Sequence, residues 1–224
     1  MTASVALLEC GAASLPVNVP AAARHFGVKM IGYSDFISLY DVDADYIYRN
    51  ISYGGFSLML EGRYICVINE NLCGKARRKW TSAHELGHIL SGHIATEKQS
   101  LTQSEEREAE RFAAGFLAPL TVLNFCGVSS ALEVERLCGI SRQAAEIRFK
   151  ELTRLRRSQE EAFRREMREA GSGLAEFAGS LRNEAEYKLL LRFLPFITSY
   201  ISKRSAHDGY EKYLAQLANQ QMAI

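Results

Sequence analysis

Two histidines four residues apart enclose a glutamate in the run His84-Glu85-Leu86-Gly87-His88. On a helix, residues at that spacing share one face, with Cβ atoms about 5–6 Å apart. Two imidazoles so placed can reach one Zn²⁺ at about 2.0–2.1 Å. A metal there brings the pKa of a water towards about 7. Glu85, next to the first histidine, is placed to take a proton from an attacking water and pass it to a leaving amine. That is the chemistry of peptide-bond hydrolysis. The competing reading is a core helix with two hydrogen-bonded histidines. Leu86, Ile89 and Leu90 form an apolar stripe that would bury such a helix and leave the histidine pair facing a cleft, which favours the metal. Thr81 or Ser82 is the expected N-cap and Gly92 the expected stop.

The histidines need a third ligand. A second histidine-based pattern would require glycine at Ser91 and histidine at Ile94, so it fails. The alternative is a carboxylate from a later helix. Ser104–Ala118 reads as that helix, with Ser104 as N-cap and Pro119 just past its end. Glu106, Ala109, Glu110, Ala113 and Leu117 fall on one face, and the alanines permit close approach to the His84–His88 helix. Glu106 is then the third ligand, and Glu110, one turn on, would hold a ligand histidine by its free ring nitrogen. Glu105 and Glu108, on other sides, read as solvated. The donor set His₂Glu suits Zn²⁺ best, although Mn²⁺ or Fe²⁺ would also bind it.

His84–His88, followed by Glu106-x-x-Ala109-x-x-Phe112-Ala113 and Leu117-x-Pro119, resembles the ImmA/IrrE family of metallo-endopeptidases. That family shows R-x-R-F-T-x-A-H-E-L-G-H and then E-x-x-A-N-x-F-A-x-x-L-L-x-P. Here Arg77-Arg78-Lys79-Trp80-Thr81-Ser82-Ala83 stands for the first part, with Lys79 for the usual second arginine and Trp80 for phenylalanine. Glu110 stands where the family has Asn or Asp. The resemblance covers roughly residues 14–152. It implies a protein substrate, namely a helix-turn-helix repressor of a mobile element or stress response. A non-proteolytic scaffold that binds a repressor or toxin is the alternative, but a scaffold has no need of Glu85.

The elements around the motif must position it. The expected fold class is α+β: a zincin-like metallopeptidase core with a small sheet, a helix-turn-helix-like segment and a helical C-terminal region. The expected division is residues 1–152, including the segment 130–152, and residues 153–224. Residues 1–13 read as a loose leader. Asn18 caps a short helix, Ala21–Phe26, that stops at Gly27, and Val28–Tyr33 reads as a strand. Asp41, Asp43 and Asp45 alternate, but Tyr46 and Ser52 stand where a calcium loop needs Gly and Glu, so 35–50 reads as a solvated loop or strand edge. Ile51–Tyr53, Phe56–Leu60 and Arg63–Asn69 read as strands. Lys75, Arg77, Arg78 and Lys79 read as a solvated approach more than as an attractor of acidic substrate. His93 reads as a helix-end cation.

Ser130–Cys138, Gly139–Ser141 and Arg142–Leu152 read as helix, tight turn, helix. Arg142 and Gln143 would begin a recognition helix. A net charge of +1 over 224 residues lacks the basic footprint of a DNA reader, so packing is favoured over direct DNA binding. Thr153–Ala170, Asn183–Ser202 and Gly209–Met222 read as further helices, broken at Gly171–Gly173 and kinked or ended at Pro195. The cysteines are Cys10, Cys66, Cys73, Cys126 and Cys138, an odd number without C-x-x-C. With no basic, apolar leader and no run near ~20 apolar residues, a cytoplasmic location with reduced thiols and no membrane partner is expected.

Overall fold

The computed structural model describes residues 1–50, 54–72, 74–94, 100–169 and 184–221. The expected strand Ile51–Tyr53, residues 96–99 of the expected loop Thr96–Gln103, Cys73 and the break at Gly171–Gly173 lie outside these residues. The architecture is mixed α+β. One sheet contains β1 (Lys29–Gly32), β2 (Gly55–Leu60) and β3 (Arg63–Ile68), in the order β1-β3-β2. β2 and β3 are antiparallel, with Leu60 opposite Arg63, so the hairpin turns on Glu61 and Gly62 alone, both at positive φ. That is the geometry of a two-residue turn whose twist matches the strands. β1 joins β3 in parallel, with Met30 opposite Cys66.

The N-terminus is not a loose leader. α1 (Ala3–Glu9) is capped by Thr2, whose Oγ1 accepts from Val5 N, and it buries Ala6 and Leu7. It packs on α6 (Gln103–Leu117) and α10 (Glu184–Gln221). α2 (Val19–His25) is capped by Asn18 as expected, with Pro20 in its first turn.

Residues 33–50 also differ from expectation. They form α3 (Tyr33–Tyr40) and α4 (Ala44–Asn50), not an exposed loop. Tyr33, Phe36 and Ile47 are buried against Ile65 and Val67 of β3, a second small core on the other side of the sheet. The three aspartates do not converge. Asp41 ends α3 in the left-handed region, Asp43 caps α4 by accepting from Asp45 N at 2.8 Å, and Asp45 pairs with Arg49 at 3.1 Å. The cap of α3 comes from far along the chain. Glu70 accepts from Tyr33 N at 2.6 Å, from Ser34 N at 2.9 Å and from the Ser34 hydroxyl. A Cβ on Gly32 would stand 2.9 Å from Glu70 Oε2, so glycine leaves the carboxylate room.

The main core lies between the sheet and the helices. It joins Cys66 and Ile68 of the sheet to Leu86 and Ile89 of α5 (Lys75–Leu90), to Phe112, Phe116 and Leu117 of α6, and to α7 (Leu120–Phe125). α8 (Ala131–Cys138) and α9 (Arg142–Glu169) meet at Gly139, which takes φ +62°. Ser130 and Ser141 cap them. α9 is one continuous helix through residues 152–153. α10 also runs unbroken through Pro195. The carbonyl that loses its bond there belongs to Leu191, whose exposed side of the helix is open to water, while Leu189, Leu190, Phe193 and Ile197 anchor the other side in the main core. Cys10, Cys66, Cys126 and Cys138 are free thiols. Among the described residues, no helix is long and apolar enough to cross a membrane.

Candidate metal centre

α5 begins at Lys75, after Gly74, and not at Thr81 or Ser82 as expected. Lysine, arginine and alanine are good helix formers, so the basic run is itself helical. Two of its cations are structural: Arg78 donates to Leu72 O at 2.6 Å and Lys79 to Cys138 O at 2.5 Å. Arg77 is exposed. At the other end Gly92 stops the helix at φ +74°, and His93 N donates back to His88 O at 2.9 Å.

α6 lies directly on α5. A Cβ on Gly87 would stand 2.9 Å from Phe112 Cδ1, so the approach depends on a bare backbone between the two histidines. Ala109 and Ala113 are fully buried. α6 starts at Gln103 with Thr102 as its N-cap, two residues before the expected Ser104. Glu105 completes a capping box with Thr102, so it is a cap and not merely solvated.

This packing brings His84, His88 and Glu106 together. His84 Nε2 and His88 Nε2 are 3.1 Å apart, and Glu106 Oε2 lies 3.3 Å from the first and 3.6 Å from the second. A tetrahedral ion bound at 2.0–2.1 Å would hold its donors about 3.3 Å apart. The protonation states agree. Burial lowers the pKa of His84, against the pull of the Glu106 and Glu110 carboxylates. Burial, and then the His84 charge, lowers that of His88. Neutral imidazoles are the form that binds metal. Three electron-rich atoms thus converge with one carboxylate charge among them, and the residues fit a divalent cation.

Glu85, the next residue, is buried beside the same cleft. Ser57 Oγ of β2 donates to Glu85 Oε2 at 2.7 Å. Burial pushes the Glu85 carboxyl up to about 7, the Ser57 hydrogen bond opposes this, and the Glu106 charge adds to it. The group can therefore hold or release a proton near neutral pH. A cleft of about 580 Å³ runs past His84, His88, Glu85 and Glu106, with Gly54–Ser57 on one wall and Trp80 on another.

Three neighbours differ from expectation. The ring that meets a ligand histidine is His93, whose Nδ1 lies 3.1 Å from His88 Nδ1. His93 Nε2 lies 3.4 Å from Glu108 Oε2, so Glu108 serves this chain and is not simply solvated. Glu110 lines the cleft and acts on His84 by charge, without a hydrogen bond to it. Ser57, and the contact of His93 with His88, have no signal in the sequence reading. Ser57 is 28 residues from Glu85 in the chain, and only the turn at Gly92 returns His93 to its own helix.

Residues 42–150 match the peptidase family model described as the IrrE N-terminal-like domain. The match runs from α4 into α9 and includes His84, Glu85, His88 and Glu106. No curated protein matches the chain. Residues 42–150 are thus an IrrE N-terminal-like domain, of the kind found in the ImmA/IrrE peptidase family.

Proposed function

We propose that this protein is a zinc-dependent metallo-endopeptidase acting on a helix-turn-helix repressor, in the cytoplasm. The observation that carries the reading is the triangle of His84 Nε2, His88 Nε2 and Glu106 Oε2, at tetrahedral spacing beside a buried glutamate. His84, His88 and Glu106 would hold the ion, which when bound supplies Lewis-acid polarisation. Glu85, aligned by Ser57, takes a proton from the attacking water as the C–O bond forms. It returns that proton to the amine nitrogen as the C–N bond breaks. β2 is an edge strand on the cleft, so an extended substrate can add to it by main-chain hydrogen bonds. The repressor as substrate follows from the family resemblance.

Direct DNA reading has less support. Arg142 pairs with Glu146 at 2.9 Å and Glu135 at 3.6 Å, which offset its positive charge where a DNA reader would present it. The test is metal content per chain together with cleavage of a co-encoded repressor. Wild type should hold one equivalent of zinc and cut the repressor. Glu106→Ala should lose the metal, and Glu85→Gln should keep it but lose cleavage. A Glu85→Gln protein that retains full biological effect would replace this reading with the scaffold.

A further inference from the structure

Next to the metal cleft is a second cavity, of about 470 Å³, and the two share Arg77 and Trp80 as a common wall. Most of its lining is apolar, formed by Trp80 of α5, Leu117 of α6, Ile140 before α9, and Ala144 and Ile147 of α9, and Ser141 and Gln143 add polar groups. Two of the three arginines that line it are already paired. Arg148 Nε donates to Ala118 O and its Nη1 meets Glu151, both at 2.6 Å. Arg142 is tied to Glu146 and Glu135. An occupant therefore gains chiefly by removing apolar area from water. Ile147, 55% exposed, lines the cavity with its side chain open to an incoming group.

We propose that this cavity is a side-chain subsite of the substrate cleft, taking a large apolar residue of the protein substrate two to four residues from the scissile bond. The inference rests on the peptidase reading for its register. Ala76 and Trp80 lie eight and four residues before His84, or about 12 and 6 Å along the helix. An extended peptide covers about 3.3–3.6 Å per residue, which gives that separation. Arg77, exposed on the shared wall, carries no ion pair among the described residues, and so favours an acidic residue between the apolar anchor and the cut. The first turns of α9, where a DNA reader would carry its base contacts, here form one side of a peptide pocket.

The experiment uses short end-blocked peptides in which a leucine is walked along an alanine–serine background containing one aspartate. Cleavage is followed by mass spectrometry, and binding to the Glu85→Gln protein by fluorescence of Trp80, the chain's single tryptophan. Leucine at one position two to four residues from the cut should raise kcat/KM by about tenfold or more. It should also shift Trp80 emission. Ile147→Asp, at an exposed site, and Ala144→Leu, which fills the cavity, should abolish that preference and leave cleavage of the leucine-free peptide within about twofold. Cleavage without positional preference, or a preference that both variants retain, would overturn the subsite and leave the peptidase standing. Leucine-dependent binding that Ile147→Asp removes, with no cleavage by zinc-loaded wild type, would keep the subsite and remove the peptidase.

Discussion

His88 Nδ1 faces His93 Nδ1 at 3.1 Å, five residues apart across the left-handed turn at Gly92. Two ring nitrogens at that distance share one proton. A metal on His88 Nε2 requires the proton on its Nδ1, so His93 Nδ1 accepts and its own proton sits on Nε2, towards Glu108. His93 thus orients a ligand and sets its tautomer. His93→Leu is expected to weaken zinc binding by about 10–100-fold, read by competition with a chelator. Glu108→Gln should weaken it less, because Glu108 is half exposed. Unchanged affinity in His93→Leu would reduce the pair to packing.

Ser57 is expected to act on the rate and not on metal binding. Its hydroxyl holds Glu85 Oε2 at 2.7 Å, and a misplaced catalytic group costs up to about 100-fold. Ser57→Ala should keep its zinc, bind peptides as wild type does, and lose roughly 10–100-fold in kcat. A change confined to KM would place Ser57 in substrate binding instead.

Gly87→Ala tests the seam between α5 and α6. Alanine is the better helix former by about 1 kcal/mol, yet its Cβ would press on Phe112, whose ring stacks on Phe116. Overpacking of this kind costs about 1–3 kcal/mol. The helices should part slightly, and Glu106 should move away from the histidines. Zinc affinity is expected to fall even where the melting temperature changes by only a few degrees. A variant with wild-type affinity would show that the seam yields elsewhere.

The Glu70 cap gives a signed pH effect. Burial alone would raise this carboxyl; hydrogen bonds from the Ser34 hydroxyl, from its own backbone and from the Ser34 and Tyr33 N–H groups outweigh that and hold it below 4.5. Its contribution is therefore complete above the ordinary value and is lost as pH falls through the lowered one. Glu70→Gln should cost about 1 kcal/mol at neutral pH, as cap losses do. The gap to wild type should close as the pH falls from 4.5 through that lowered value. Thermal melts of both proteins across that range decide it; a gap that persists in acid would mean the neutral form caps equally well.

The sequence and the structure agree where the determinants are local. His84 and His88 are one helical turn apart, so their convergence needs only a helix, and Glu106 follows from which face of the next helix carries the alanines. The errors have distant causes. α3 and α4 are too short to stand on propensity alone; they exist because Tyr33, Phe36 and Ile47 bury against β3 and Glu70 caps α3 across 37 residues. The start of α5 was misplaced because the basic run resembles a solvated approach, while Arg78 and Lys79 find backbone carbonyls from other segments. Ser57 reaches Glu85 only because β2 is an edge strand beside α5, a fact of topology with no local signature.

The free cysteines make the fold self-reporting. Cys66 lies in β3, Cys126 follows α7 and Cys138 ends α8, and all three are buried. Burial drives their thiols up, Cys66 well above its ordinary value, Cys126 to about 11 and Cys138 to about 12. Only the thiolate reacts quickly with an alkylating reagent. Among the four described cysteines, a short pulse of iodoacetamide at neutral pH should therefore mark half-buried Cys10 first. Labelling of the other three should wait for the chain to open around each of them. Without any engineered tag, the order of labelling times the loosening of the sheet, of α7 and of the α8–α9 turn, and metal removal can be read as a change in one clock against the others.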